Sequence, residues 1–276
     1  MERILLGFDG SPASVSALTW VAERAAREPA TVTVTTVVAR GAADSSEALQ
    51  HLADADAFLR EHAPGTVVHV TSSRGGVVDV LVESSEGADL VVVGITPGHP
   101  MRAVLSGALP LRVSAHSSVP VAMVPPGWVD LGDAVTVGID SDESSDAALS
   151  FGADEALRSD RSLRLVHAWL MPTPTFAGST TRMASPEAVV ERHRMTLDAA
   201  TRTASSRHPA LDVCSELHRE SAPTTLLRYA AESSMLVIGT HRRGIVAGNL
   251  WGSVAQDVLW RAECPIVVVP RASRRS

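Results

Sequence analysis

The chain has 276 residues, a formal net charge of -7, 45% hydrophobic, 20% charged and only 4% aromatic residues, the composition of an Ala/Val-rich folded protein long enough for two average domains. Every side-chain cation is an arginine, since the sequence holds no lysine, which excludes a phosphate-loop lysine and a Schiff base. The acidic balance argues against a nucleic-acid binder, which needs clustered positive charge to displace counterions from phosphates.

In chain order, Ile4 to Phe8 is a short apolar run, predicting a strand buried on both faces of a parallel sheet. Ser11-Pro12 then supplies a helix N-cap with proline at the first helical position. Leu18, Val21, Ala22 and Ala25 follow at helical spacing as one apolar face. Further strands are predicted near Val32 to Val38, Val67 to Thr71, Leu90 to Gly94 and Val119 to Val124, with helices near Ala48 to His62, Val77 to Ser85 and Gly107 to His116. Strands alternating with helices predict a doubly wound parallel sheet, because parallel neighbours need crossover connections. The longest wholly apolar runs, such as Ile266 to Val269, are far below the ~20 residues of a membrane span. The opening Met1-Glu2-Arg3 passes at once into Ile4-Leu5-Leu6 without a signal-peptide layout, so a cytoplasmic location is expected. Cys214 and Cys264 are too few for a disulfide framework or a four-thiolate zinc site; both stand in apolar, strand-like contexts and read as packing residues.

The pattern then repeats. Gly7-Phe8-Asp9 returns as Gly138-Ile139-Asp140, 131 residues on; Leu90 to Gly94 returns as Met235 to Gly239, and Val119-Pro120-Val121 as Cys264-Pro265-Ile266, both 145 residues on. The two offsets imply one insertion of 14 residues after the second strand of the second copy, placed in the Pro/Ser/Thr-rich stretch Met171 to Pro186. The helical face recurs as Leu149, Gly152, Ala153 and Ala156, with Phe151 replacing Trp20. Pro125-Pro126-Gly127 closes the first copy, giving domains at 1–126 and 134–271.

In two copies, the opening strand ending Gly-x-Asp, the Leu165-Val166-His167-Ala168-Trp169 segment, the strand Met235 to Gly239 and the closing Cys264 to Val269 resemble the universal stress protein family. The resemblance implies an α/β fold of two tandem flavodoxin-like or Rossmann-like domains, each a five-stranded parallel sheet in order 3-2-1-4-5. It implies pairing of the last strands, here as a pseudo-dimer within the chain, with a homodimer and an unspecified protein partner also open. It implies a stress-response regulator that binds ATP, with Mg2+ held by the phosphates.

ATP-binding members carry Gly, two residues, Gly, nine residues, Gly, then Ser or Thr. Such a loop lets backbone N–H groups approach phosphate oxygens at a helix start whose dipole favours anions. The second copy reads Gly239-Thr240-His241-Arg242, then Gly252-Ser253, where Arg242 in place of glycine either crowds the phosphates or contacts them by a charge-assisted hydrogen bond. The first copy reads Gly94 to Pro97, then Gly107-Ala108; Pro97 has no N–H to offer and Ala108 no hydroxyl, so this site is degenerate. Residue by residue, the resemblance assigns Asp140 and Ala168 to base and ribose, Gly138 and Ile238 to the pocket wall, and Gly239, Arg242, Gly252, Ser253 and Val254 to ribose and phosphates. Asp9, Val37, Gly94 and Gly107 are the weaker first-copy candidates. The bland alternative is that the glycines only permit turns and close helix packing, that Asp140 is a turn residue and that His167 is a satisfied structural histidine.

Two other function classes compete with nucleotide binding. A nucleotide-independent dimerisation or interaction protein is favoured by Pro97, Ala108 and Arg242. An enzyme lacks a constellation for acid–base, nucleophilic or metal chemistry, with no nucleophile elbow, paired-cysteine motif or HExxH in the sequence. No catalytic or metal-binding residue is therefore assigned.

Overall fold

A computed structural model describes residues 1–38, 46–96, 108–142, 144–171, 185–240 and 253–271. The first repeat runs β1 (Glu2–Gly7), α1 (Pro12–Arg27), β2 (Ala30–Val38), α2 (Ser46–His62), β3 (Val67–Arg74), α3 (Val77–Ser85), β4 (Leu90–Gly94), α4 (Ala108–His116) and β5 (Val121–Val124). The second runs β6 (Ala134–Ile139), α5 (Ser144–Arg158), β7 (Leu163–Ala168), α6 (Pro186–Arg207), β8 (Val213–His218), α7 (Ala222–Ala230), β9 (Ser233–Thr240), α8 (Ser253–Leu259) and β10 (Ile266–Pro270). Among the described residues, no helix is long and apolar enough to cross a membrane.

The strands form one ten-stranded sheet, ordered β3-β2-β1-β4-β5-β10-β9-β6-β7-β8. Each repeat therefore has the order 3-2-1-4-5 that the resemblance implies, and within each repeat every pairing is parallel. The join is antiparallel: Ile266 pairs with Met123, Val267 with Ala122 and Val268 with Val121. Ala122 and Val267 are repeat equivalents, so a pseudo-twofold axis passes through that pair. Edges left open in each half cover one another, as edge strands otherwise invite wrong partners.

Alternation along the strands divides the core. Ile4, Leu6, Leu90 and Val92 lie on the face of the sheet covered by α1, α2, α5 and α6, whereas Leu5, Val91 and Val93 lie on the face covered by α3, α4, α7 and α8. Leu18, Val21, Ala22 and Ala25 of α1 are buried, and so are Leu149, Gly152, Ala153 and Ala156 of α5. Ser11 caps α1, its hydroxyl accepting from the Ser14 N–H at 3.3 Å. Phe8 falls just outside its strand, and β5 begins at Val121 rather than Val119, after a bend at Ser118 and Val119.

One cysteine departs from expectation. Cys264 is buried, and burial pushes its thiol up to about 12. Cys214 is exposed, because β8 is an outermost strand.

Candidate functional site

In open parallel sheets, ligand crevices form at the carboxyl ends of strands where the order reverses. In the second repeat that point lies between β6 and β9. Gly138 is in register with Ile238 on β9 and with Val166 on β7, and Ala168 ends β7. A side chain at Gly138 would point at Ile238 and Leu226, with contacts of 3.3 Å, so Gly138 and Ile238 belong to the α7 face of the crevice. Asp140 leaves the top of β6 and lines a groove on the opposite face.

That groove, about 490 Å³, lies between the start of α5 and the middle of α6 and is lined by Asp140, Ser144, Leu149, Thr196, Ala199 and Thr203, among others. The turn beneath it is braced by serines. The Asp140 N–H donates to Ser145 Oγ at 2.7 Å, and the Ser145 hydroxyl donates back to the Asp140 carbonyl at 3.0 Å. Asp140 Oδ1 accepts from the Ser141 N–H at 2.7 Å. Asp142 Oδ1 accepts from the N–H and hydroxyl of Ser144, at 2.8 and 2.5 Å, and so caps α5. The first repeat keeps the serine brace, the Asp9 N–H donating to Ser14 Oγ at 3.4 Å, but turns differently: Gly10 has φ 75° and Asp9 Oδ1 accepts from the Ser11 N–H, two residues on, at 3.0 Å. Burial opposes ionisation of Asp9, but hydrogen bonds from Ser11 and Ser14 prevail and hold it below the ordinary carboxylate range.

Gly239 and Gly94 have a packing reason for being glycine. A Cβ on Gly239 would lie 2.3 Å from the Ser144 carbonyl oxygen, and one on Gly94 would lie 2.3 Å from the Ala13 carbonyl carbon. At both places the fourth strand ends against the first turn of the helix that follows the first strand. Val37, next to last in β2, is half-buried, as is its repeat equivalent Ala168 at the end of β7. Val254 is half-buried against the α7/α8 core, and Ser253 opens α8. Arg242, Gly252 and Gly107, with Pro97, His241 and Trp251, lie outside the described residues, as does most of the insertion.

His167 is 2% exposed on β7. Its Nδ1 is 2.7 Å from the Ile139 carbonyl, and since that oxygen only accepts, Nδ1 carries the proton. Its Nε2 therefore accepts from His193 Nδ1, 2.8 Å away on α6. His193 stacks on Trp169 with centroids 4.8 Å apart, and the Arg219 guanidinium lies 5.8 Å from the Trp169 ring. Burial, His167 and Arg192 lower the His193 pKa, with Asp140 acting the other way. In the first repeat Thr36 takes the place of His167, its hydroxyl donating to the Phe8 carbonyl at 2.7 Å.

The universal stress protein family model matches residues 1–125 and again 133–270. The chain belongs to that family. A universal stress protein of Mycolicibacterium smegmatis is 28% identical over 295 residues, covering 96% of each chain. One of Mycobacterium tuberculosis is 26% identical over 297 residues, covering 96% of this chain and 95% of its own. Among solved structures, a universal stress protein of Archaeoglobus fulgidus superposes with a TM-score of 0.71 at 19% identity, covering 98% of this chain and 96% of that one. This universal stress protein thus shares full-length tandem organisation with its mycobacterial relatives and its fold with the archaeal protein.

Reading the sequence did not find the groove side chains Thr196, Ala199 and Thr203. The 145-residue offset was the available signal. It places His51, Asp54 and Phe58 at the same three positions of α2, where the ring of His51 covers Gly10 and meets Phe8 edge-on with centroids 6.5 Å apart. Thr196, Ala199 and Thr203 leave the groove open in the second repeat, whereas in the first the His51 ring lies over the turn, Phe58 stacks on His62 with centroids 4.0 Å apart, and Asp54 is exposed. The groove suits a base and ribose, because Asp140 offers an acceptor beside apolar walls. Its other charged residues are Asp142, Asp146 and Arg271, so acidic groups outnumber the one arginine of the lining and suit polyphosphate poorly. Among the described residues, no group of three His, Cys, Asp or Glu could hold a metal ion.

Proposed function

We propose that this universal stress protein is a regulatory nucleotide-binding protein, rather than a catalyst, that takes one ATP per chain in its second repeat, residues 134–271, while the first, residues 1–126, has lost its site. Asp140 and Ala168 hold the base and ribose end at the carboxyl ends of β6 and β7, with Gly138 and Ile238 lining the α7 side of the crevice, and the segment from Gly239 through Arg242 to Gly252, Ser253 and Val254 receives the phosphates with their Mg2+. The observation that carries this reading is the asymmetry of the groove: Thr196, Ala199 and Thr203 leave about 490 Å³ beside Asp140, where the first repeat has His51, Asp54 and Phe58.

Titration calorimetry with Mg-ATP tests it. One site per chain is expected. Ser253→Ala removes a charge-assisted hydrogen bond, of about 1.5–3 kcal/mol, and weakens binding roughly tenfold to a hundredfold. Thr196→His with Thr203→Phe, which copies the first repeat, should abolish binding while leaving the unfolding midpoint near that of the wild type. Two equivalent sites, or binding that survives both changes, defeats the assignment.

A second reading, a nucleotide-independent interaction protein, is favoured by a specific observation. Close packing against α1 and α5 accounts for Gly94 and Gly239 without a ligand. Absence of any calorimetric signal for ATP, ADP or AMP would select it.

A further inference from the structure

Two charged side chains meet beside the seam between the repeats, and they are repeat equivalents. Arg24 of α1 lies 131 residues before Glu155 of α5, the same offset that relates β1 to β6. The two side chains form an ion pair in which each is 4% exposed. The pseudo-twofold axis that passes through Ala122 and Val267 therefore also passes between a guanidinium and a carboxylate. Each half places one sign of charge on the axis.

The remaining charges complete the network. Glu2 accepts from Arg24 Nε and Nη2, both at 2.8 Å. Arg158 pairs with Glu155 and reaches Glu28 of the first repeat at 3.1 Å. Burial works against the charge on Arg24, but Glu155 and Glu2 outweigh it and hold the guanidinium firmly protonated. Burial likewise opposes ionisation of Glu2, and Arg24 and Arg158 overcome it.

We propose that this pair is a partner code: the first half accepts only a surface that presents a carboxylate on the axis, and the second half only one that presents a guanidinium. Pairing between two first halves would bring Arg24 against Arg24, each keeping only its own Glu2, and pairing between two second halves Glu155 against Glu155, each keeping only its own Arg158, so that like charges meet on the axis and the pair across it is lost. A buried ion pair does little for stability compared with an apolar pair, but removing or reversing one partner is costly because the other charge is left uncompensated. What such a pair supplies is selectivity between partners. The second half of the same chain satisfies the code, and so does the second half of another copy of this chain in a reciprocal exchange.

Charge reversal in the full chain tests the code. Arg24→Glu places two carboxylates on the axis and Glu155→Arg two guanidiniums, and each is expected to lower the thermal midpoint by about 10 °C. Glu155→Gln, which keeps the shape, lowers it less. The double exchange Arg24→Glu/Glu155→Arg restores most of the loss. The diagnostic measurement mixes the two single-reversal chains in denaturant, refolds them together and weighs the products by native mass spectrometry. A reciprocal exchange regains both ion pairs, so a 1:1 heterodimer forms that neither variant forms alone. A double exchange no better than the single variants, or a mixture yielding no heterodimer, overturns the proposal.

Discussion

His193 shows how one side chain ties a helix to the crevice it overlooks. Its Nδ1–H serves His167, which in turn serves the Ile139 carbonyl at the top of β6. A proton on α6 is thus linked through two rings to the strand that carries Asp140. Because the His193 pKa is lowered from its ordinary 6.5, the folded state binds fewer protons than the unfolded state as pH falls. The associated stability is present above about pH 6.5 and is lost as pH drops through the lowered folded value. Thermal midpoints measured from pH 7.5 to 5 should decline, and His193→Gln, whose amide still donates to His167, should flatten that decline. The carboxylates held low by arginines, such as Glu2 and Asp130, contribute only at more acidic pH, so the two regimes separate. An unchanged slope in the variant would detach His193 from the effect.

Helix α5 carries a glycine in its interior, normally unfavourable by about 1 kcal/mol against alanine. Here a Cβ at Gly152 would lie 2.3 Å from Val137 Cγ2, and that valine is fully buried and stiff at its β-carbon. Gly152→Ala should therefore destabilise the protein, by about 1–3 kcal/mol from overpacking, in spite of alanine's better helix propensity. Adding Val137→Ala should recover part of the loss, as measured by chemical denaturation; a stabilised single variant would show that α5 can move away from the sheet. Elements of this kind were legible in the sequence because periodicity reports burial. The α1 stripe of Leu18, Val21, Ala22 and Ala25 and its α5 counterpart are both buried. The Gly-x-Asp turns and the Ser11 cap of α1 were legible for the same local reasons. Exposure of Cys214 was not, because whether a strand lies at the edge depends on strand order rather than on its own residues. Nor was the groove, since Thr196, Ala199 and Thr203 of α6 are unremarkable in sequence and matter only once α6 lies beside α5. Gly239 stood out in the sequence through the glycine pattern, and its position against Ser144 gives it the close helix packing that was the alternative reading of that pattern.

At the scale of the whole molecule, the seam makes one sheet of two. Strands β5 and β10 are buried along their length, whereas β3 is largely exposed. Amide exchange should therefore be slowest at Val121 to Val124 and Ile266 to Val269 and fastest at β3 and β8, since local opening costs most where both faces are covered. Seam amides exchanging as fast as those of β3 would mean that the halves separate readily. The antiparallel join has a geometric consequence as well. Strands run in parallel within each half and in opposite directions across the join, so the two crevices open on opposite rims of the sheet. The reversal points β1/β4 and β9/β6 are four strand spacings apart, roughly 19 Å at about 4.8 Å per strand. A short two-headed ligand cannot span them without passing around the sheet. The molecule is two-poled, and whatever docks at one rim leaves the other facing away, free to meet something else.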